Sequence, residues 1–125
     1  MPKKQLNKIV KGLKRQGGVI LRGAEIDQYL DEKNAEAITY DAETILLRNN
    51  PGRASVFEEL IHATQYKTGE NDGSYISRLK CEISAQEKLL KYSAAYQLTE
   101  QEIQQTKAAL EAYKKELKRI EKGGN

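Results

Sequence analysis

The chain has 125 residues, a formal net charge of +3, one cysteine and no tryptophan. A chain of this length forms a single domain, and one cysteine excludes both an internal disulfide and a cysteine-rich zinc finger. No stretch approaches the roughly 18 apolar residues of a membrane helix, and no apolar signal core begins the sequence. We therefore expect a soluble protein with no membrane span.

Basic residues are concentrated at the N-terminus. Residues 1–23 hold seven lysines and arginines and no acid, so the remainder carries a net charge of −4. Residues 1–17 predict a basic amphipathic helix or linker that ends at a glycine pair. Its apolar residues recur at helical spacing: Leu6, Ile9, Val10 and Leu13. Because this stripe is narrow and has no aromatic anchor, we expect it to dock on its own domain.

Three short strands are predicted before the middle of the chain: 19–22, 37–40 and 44–48. The first lies between glycines and reads as a buried strand, while the other two form a hairpin whose second strand is the more buried. Residues 24–34 between them predict a weakly amphipathic helix. Asn49, Asn50, Pro51 and Gly52 then predict a turn that leads into the next helix.

The second half of the chain is helical. The predicted helices are 54–68, 75–96 and one that begins at the capping box Thr99-Glu100-Gln101-Glu102. In the first, the core stripe is Val56, Phe57, Leu60, Ile61 and Thr64. In the second, the inward residues are Ile76, Leu79, Ile83 and Leu90. We interpret three tyrosines as core packing: Tyr92, Tyr96 and Tyr113.

These elements predict an α+β fold for residues 18–125 as a single domain. A small antiparallel or mixed sheet of about three strands is followed by a motif helix and then by a long antiparallel helical hairpin. Cys81 lies within this hairpin and is expected to be a small helix residue.

The only histidine lies one helical turn after a pair of glutamates. Residues four apart share a helix face, so Glu58 and His62 can bind one ion, with Glu59 beside them. Zinc hydrolases use this geometry in the motif His-Glu-x-x-His, whose glutamate takes a proton from the attacking water. Here the motif is Glu58-Glu59-Leu60-Ile61-His62, so a carboxylate replaces the first histidine.

The order of strand, turn, motif helix, loop and a helix carrying a glutamate resembles the gluzincin branch of zinc metallopeptidases. In that branch the third ligand is a glutamate about twenty residues beyond the second motif histidine, and Glu82 is twenty residues beyond His62. Residues 17–122 also resemble the zincin-like C-terminal domains of bacterial polymorphic toxins. They share a glycine pair before Val-Ile-Leu-Arg-Gly, the Glu-Glu-x-x-His helix and a charged helical tail.

This resemblance implies a toxin effector domain that is a metal-dependent peptidase. The implied metal ligands are Glu58, His62 and Glu82. Glu59 would be the catalytic general base, and Gln65 or Gln86 would hold the ligands by hydrogen bonds. Zinc is the implied ion, but two carboxylates would neutralise it and weaken it as a Lewis acid, which favours manganese or iron. The implied partners are an immunity protein and an intracellular protein target, met after export within a larger toxin into a target-cell cytoplasm.

Three alternatives remain open. Glu59-x-x-His62 is half of a di-iron carboxylate motif, which only a symmetric dimer would complete. A nuclease would use the basic N-terminal arm to guide nucleic acid in a salt-sensitive way. A non-enzymatic domain would bind a partner through the helical hairpin, with the glutamates as an acidic patch. Convergence of Glu58, His62 and Glu82 within about 5 Å in a cleft would favour a metal site.

Overall fold

The structure is a computed structural model, which describes residues 1–123. The predicted domain's last two positions, 124 and 125, lie outside this range. The described residues form five helices: α1 (Lys3–Arg15), α2 (Ala24–Glu32), α3 (Arg53–Thr68), α4 (Tyr75–Lys91) and α5 (Glu100–Glu121). They also form three strands: β1 (Val19–Leu21), β2 (Ala37–Thr39) and β3 (Thr44–Leu47). The predicted α+β class is confirmed. None of the helices has the length and apolar character needed to cross a membrane.

β3 is the central strand of a mixed sheet. β1 pairs with it in parallel and β2 pairs with it antiparallel, so the sheet order is β1-β3-β2. The predicted hairpin of β2 and β3 is confirmed, and β3 is the more buried strand, with Ile45 and Leu47 almost fully covered. The prediction of a buried β1 is wrong. As an edge strand it leaves Val19 44% and Leu21 40% exposed, and only the middle residue, Ile20, packs against the core.

The N-terminal helix packs on the same core as the sheet. Leu6 and Leu13 of α1 are buried in one cluster with Ile45 and Leu47, while the lysines of α1 are exposed. Gly18 permits this packing, because a Cβ atom at that position would lie 2.6 Å from Leu13 Cγ. The basic helix is therefore docked on the domain that follows it.

α3 lies between the sheet on one side and α4 on the other. Its buried residues are Val56, Glu59, Ala63 and Gln65. The predicted core stripe is wrong at Thr64, which is exposed. A helix covered on two sides buries two faces, so a single apolar stripe does not describe it. As a result, α3 directs Glu59 toward β2 and His62 toward α4.

α4 and α5 pack side by side as the predicted antiparallel hairpin, with Tyr75 near the start of α4 bonded to Glu116 near the end of α5. α4 ends at Lys91 rather than at Tyr96, because the chain turns here and Tyr96 stacks on Phe57 with ring centroids 4.2 Å apart. Ile76, predicted to face inward, is exposed at the first turn of α4.

Glu102 joins the N-termini of two helices. Its Oε1 accepts a hydrogen bond from the Thr99 N–H at 3.1 Å, which completes the predicted capping box of α5. Its Oε2 accepts from the Ala54 N–H at 2.8 Å, in the first turn of α3. Partial burial opposes ionisation of Glu102, but these hydrogen bonds outweigh it and hold the pKa of the carboxyl below its usual value.

Replacing Glu102 by alanine is expected to lower the free energy of unfolding by about 2 kcal/mol, because two backbone N–H groups lose a charged acceptor. Urea denaturation at pH 7 measures this loss. Folding lowers the pKa of Glu102, so its carboxylate contributes stability only at pH values above that pKa. The difference in unfolding free energy between wild type and Glu102→Ala should therefore shrink as the pH falls through the pKa of Glu102 in the folded protein. The control is Glu100→Ala, because Glu100 is exposed in the same helical turn; equal losses in both variants would contradict the role of Glu102.

Candidate metal centre

The structure brings Glu58, His62 and Glu82 together. One ligand atom from each residue lies within 4.8 Å of the other two. His62 Nε2 is 2.5 Å from Glu82 Oε1 and 3.7 Å from Glu58 Oε1. α3 contributes the first two residues from neighbouring turns of one face, and α4 contributes the third. The side chains thus meet the distance condition for a metal site, and Glu82 faces the histidine.

These side chains open onto a pocket with a volume of about 480 Å³. Its walls come from β2, α3, α4 and a tyrosine of α5. The side chain of His62 is 12% exposed, that of Glu58 28% and that of Glu82 26%. The three groups are thus accessible from the pocket but largely shielded from bulk water, which strengthens their electrostatic interactions.

The hydrogen bonds of Gln65 determine which ring nitrogen of His62 carries the proton when the ring is neutral. Gln65 is buried, and its Nε2 donates to the backbone carbonyl of Cys81 at 2.9 Å. Its Oε1 must therefore face His62 Nδ1, at 2.8 Å, and Nδ1 must carry the proton of that hydrogen bond. In the neutral ring, the lone pair then lies on Nε2, the atom between Glu58 and Glu82. Metal-binding histidines are commonly oriented by such a bond from the other ring nitrogen.

A second glutamine holds a carboxylate of the same group. Gln86 is buried on α4, and its Nε2 donates to Glu58 Oε1 at 3.2 Å. Gln65 and Gln86 thus both bond to predicted ligands, one to the histidine and one to a glutamate. Each side chain loses rotational freedom before an ion binds, which reduces the entropic cost of forming a site.

Glu59 occupies a different position from the other glutamates. It is only 7% exposed, and Thr39 Oγ1 of β2 donates to its Oε1 at 3.1 Å. Burial raises the pKa of Glu59 to about 7, with a further contribution from the negative charge of Glu58. A carboxyl group that titrates near neutral pH can both accept and return a proton. Glu59 also lines the pocket, so it is placed to do this beside the three converging groups.

Without an ion, the group is stabilised by a proton on His62. Burial alone would lower the pKa of His62, but interactions with Glu58 and Glu82 outweigh burial and raise it to about 11. Burial likewise opposes ionisation of Glu82, and its hydrogen bond with His62 outweighs that effect, so the pKa of Glu82 is lowered. An imidazolium between two carboxylates therefore fills the place that a divalent cation would take.

The donor set fits a small divalent cation. Zinc binds histidine nitrogen and carboxylate oxygen at about 2.0–2.2 Å, so the ligands of one tetrahedral ion lie about 3.3 Å apart. The two distances from His62 Nε2, 2.5 and 3.7 Å, lie on either side of that value. Two carboxylates and a neutral imidazole would balance the charge of the ion. These residues can hold it with small side-chain movements.

Tyr113 is a residue of the pocket that sequence reasoning missed. It was interpreted as core packing, but it is half-buried on α5 and lines the pocket beside Glu82. Burial raises the pKa of Tyr113, and a hydrogen bond with Glu82 raises it further. The predicted antiparallel hairpin could have indicated that Tyr113 lies near Glu82, since the two residues are at similar distances along the chain from the turn after α4. Of the other two tyrosines, Tyr96 packs on Phe57 as expected, but the prediction is wrong for Tyr92, which is 44% exposed just after the end of α4.

Comparisons with known protein families, with curated proteins and with solved structures found no match.

Replacing Gln65 by leucine is expected to lower zinc affinity about 10- to 100-fold, because His62 Nδ1 loses the acceptor that keeps the lone pair on Nε2. The variant should also lose about 1–3 kcal/mol of stability, since the Nδ1–H group of His62 is left without its acceptor. Zinc affinity is measured by competition with a chromophoric chelator, on protein shown to be folded by circular dichroism. The control is Gln104→Leu on exposed α5. A folded Gln65→Leu variant with unchanged zinc affinity would contradict the role of this bond.

Proposed function

We propose that this chain is a zincin-like, metal-dependent peptide hydrolase of the gluzincin type. Glu58, His62 and Glu82 would bind the ion, and Glu59 would be the general base. The observation that carries the proposal is the orientation of His62: a buried glutamine fixes Nδ1 as a donor and leaves Nε2 directed at two carboxylates. Metal-binding histidines are commonly oriented in this way.

A divalent ion bound here would polarise a substrate carbonyl and make a nearby water more acidic. Glu59 would accept a proton from the attacking water as its oxygen bonds to the carbonyl carbon. The same carboxyl would return that proton to the amine nitrogen as the carbon–nitrogen bond breaks. Burial raises the pKa of Glu59 in the metal-free protein, and this burial favours return of the proton in the second step. Thr39 orients the carboxyl by its hydrogen bond to Oε1.

The ion is proposed to be zinc, with manganese or iron as the alternatives. Zinc agrees with the resemblance to gluzincins and with a site of one nitrogen and two oxygen donors. Manganese and iron are harder ions, and two carboxylates suit them better than a site of neutral histidines would. The relative activity of the protein loaded with each ion distinguishes them.

The proposed biological role is that of a toxin effector, which acts on an intracellular protein and is neutralised by an immunity protein. It rests on the resemblance of residues 17–122 to polymorphic toxin domains. If it is right, expression of the chain in a bacterial cytoplasm should arrest growth, and Glu59→Gln should relieve the arrest at equal protein level. Arrest that persists in this variant would count against a toxic peptidase.

The pocket favours a peptidase over the nuclease alternative. None of the basic residues of α1 lines the pocket, and only one lysine or arginine, Arg78, does so among the described residues. A phosphate backbone would meet three carboxylates there without the basic arm beside them. The interaction alternative is also less favoured, because Glu59 is buried rather than part of an acidic surface patch.

Peptide hydrolysis is tested with a mixture of peptides from a digested proteome. Protein reloaded with zinc is incubated with the mixture, and mass spectrometry identifies new peptide termini. Cleavage is expected with wild type, and it should be absent with Glu59→Gln and after removal of the ion by a chelator. New termini that appear equally with Glu59→Gln would identify a contaminating protease and overturn the proposal.

A further inference from the structure

One side chain in the wall of the pocket carries a permanent positive charge. Among the residues described, Arg78 is the single lysine or arginine that lines the pocket, and it lies in the first turn of α4. The catalytic scheme proposed above does not use it. Its guanidinium therefore lies in the same pocket as the candidate metal ligands.

Arg78 lies on the same face of α4 as the ligand Glu82. The two residues are four apart, which places them on neighbouring turns, about 6 Å apart along the helix axis. An extended peptide advances about 3.3 Å per residue, so the distance corresponds to about two residues of a bound substrate. A peptide that extends along α4, with its cleaved bond at Glu82, would therefore have a side chain or a terminus near Arg78.

Arg78 is exposed and carries an unneutralised charge at the edge of the pocket. Its guanidinium lies 5.9 Å from the centre of the Tyr75 ring, within cation–π range. The Tyr75 hydroxyl donates to Glu116 Oε1 at 3.1 Å, which links α4 to α5. Arg78 has no ion pair with a carboxylate in residues 1–123, and Glu82, its nearest acid along the helix face, is bonded to His62.

We infer that Arg78 selects substrates that carry a carboxylate about one or two residues from the bond that is cleaved. This inference rests on the proposed function and names its substrate class. A guanidinium binds a carboxylate through paired, charge-assisted hydrogen bonds, which a lysine or a neutral side chain does not reproduce. The carboxylate can be an acidic side chain or the C-terminus of the substrate, which makes Arg78 a specificity determinant.

The test measures binding, so that it does not depend on turnover. Fluorescence anisotropy gives the affinities of four labelled hexapeptides for zinc-treated Glu59→Gln protein. Three are amidated and carry Glu, Gln or Lys at one central position, and the fourth carries Gln there and a free C-terminal carboxylate. We expect the Glu peptide or the free-carboxylate peptide to bind about fivefold more tightly than the amidated Gln peptide, as for a solvent-accessible ion pair. Which of the two gains affinity identifies the source of the carboxylate.

Variants at position 78 separate this role from a general effect of charge. Arg78→Gln should remove the preference, and Arg78→Glu should reverse it in favour of the Lys peptide. The control is Lys80→Gln, which removes one positive charge from an exposed position of α4 that does not line the pocket. Equal affinities for all four peptides, or a preference that Arg78→Gln leaves intact, would overturn the inference.

The zinc content of the same samples keeps the two proposals distinguishable. Protein that holds no zinc overturns the proposed metal site, whatever the peptide affinities. Protein that holds zinc but shows no carboxylate preference overturns only the inference about Arg78. The affinities of the four peptides are also measured after the zinc is removed by a chelator. If all four peptides bind equally well to that sample, the inference about Arg78 is overturned as well.

Discussion

Replacing Glu59 by glutamine is expected to abolish detectable peptide hydrolysis while leaving zinc affinity unchanged. The loss in kcat should be about 10²- to 10⁴-fold, the range contributed by a general acid–base group. Zinc affinity should persist because Glu59 is not one of the three proposed ligands, and its Oε1 accepts a hydrogen bond from Thr39. Glutamine keeps the oxygen that accepts the Thr39 hydrogen bond, so the shape of the site is preserved. Initial rates on one cleaved peptide and a zinc titration measure the two properties separately.

The same substitution is expected to stabilise the protein above neutral pH. The pKa of Glu59 is raised to about 7 in the folded protein from an ordinary value of 4.5, so ionisation opposes folding. The stability that comes from the neutral form is present below the ordinary pKa and is lost as the pH rises through 7. At pH 8, Glu59→Gln should therefore be more stable than wild type by an amount on the order of 2 kcal/mol.

The matched control is Glu111→Gln, because Glu111 is exposed on α5. It should change neither hydrolysis nor stability. A Glu59→Gln protein with wild-type activity would contradict the role of Glu59 as general base. An unchanged stability at pH 8 would contradict the raised pKa but not the catalytic role.

The second large effect is expected from His62 in metal-free protein. Its pKa is raised to about 11 by the two glutamates, against an ordinary value of 6.5. The stability that this proton confers is complete below the ordinary pKa and is lost as the pH rises toward 11. Between about pH 7 and 9, only the folded protein retains the proton, so unfolding should become easier by on the order of 1 kcal/mol per pH unit.

Urea denaturation with a chelator present measures this slope. His62→Gln should be less stable than wild type at pH 7 and should show a much flatter dependence on pH, because it has no proton to lose. Zinc affinity of wild type should rise over the same range, since the ion must displace that proton. Parallel slopes in wild type and His62→Gln would show that His62 is not held as an imidazolium between the glutamates.

Local sequence patterns predicted the elements of the fold well. Two short runs of β-branched and apolar residues predicted the hairpin of β2 and β3, and Thr99 with Glu102 predicted the start of α5. These signals depend on neighbours in the chain, so no knowledge of tertiary contacts was needed. Burial was predicted less well, because Thr64 and Val19 depend on which elements cover them in the folded domain.

For the site, the spacing of Glu58, Glu59 and His62 along the chain predicted that they lie together on one helix. The orientation of Glu82 toward His62 depends on the rotation of α4, which the burial of Leu79 and Ala85 against the rest of the domain determines. Two groups could not be predicted from local patterns, since each acts across elements. They are Tyr113 as a pocket residue and Arg78 as the cation that lines the same pocket as the glutamates.

The central claim is that Glu58, His62 and Glu82 bind one divalent cation. Isothermal titration of metal-free protein with zinc, followed by elemental analysis after gel filtration, tests it most directly. We predict one zinc ion per chain in wild type and in the control Glu111→Gln, and a loss of tight binding in Glu58→Gln, His62→Gln and Glu82→Gln. A wild-type protein that binds no zinc, manganese or iron, or variants that bind zinc as tightly as wild type, would contradict the claim.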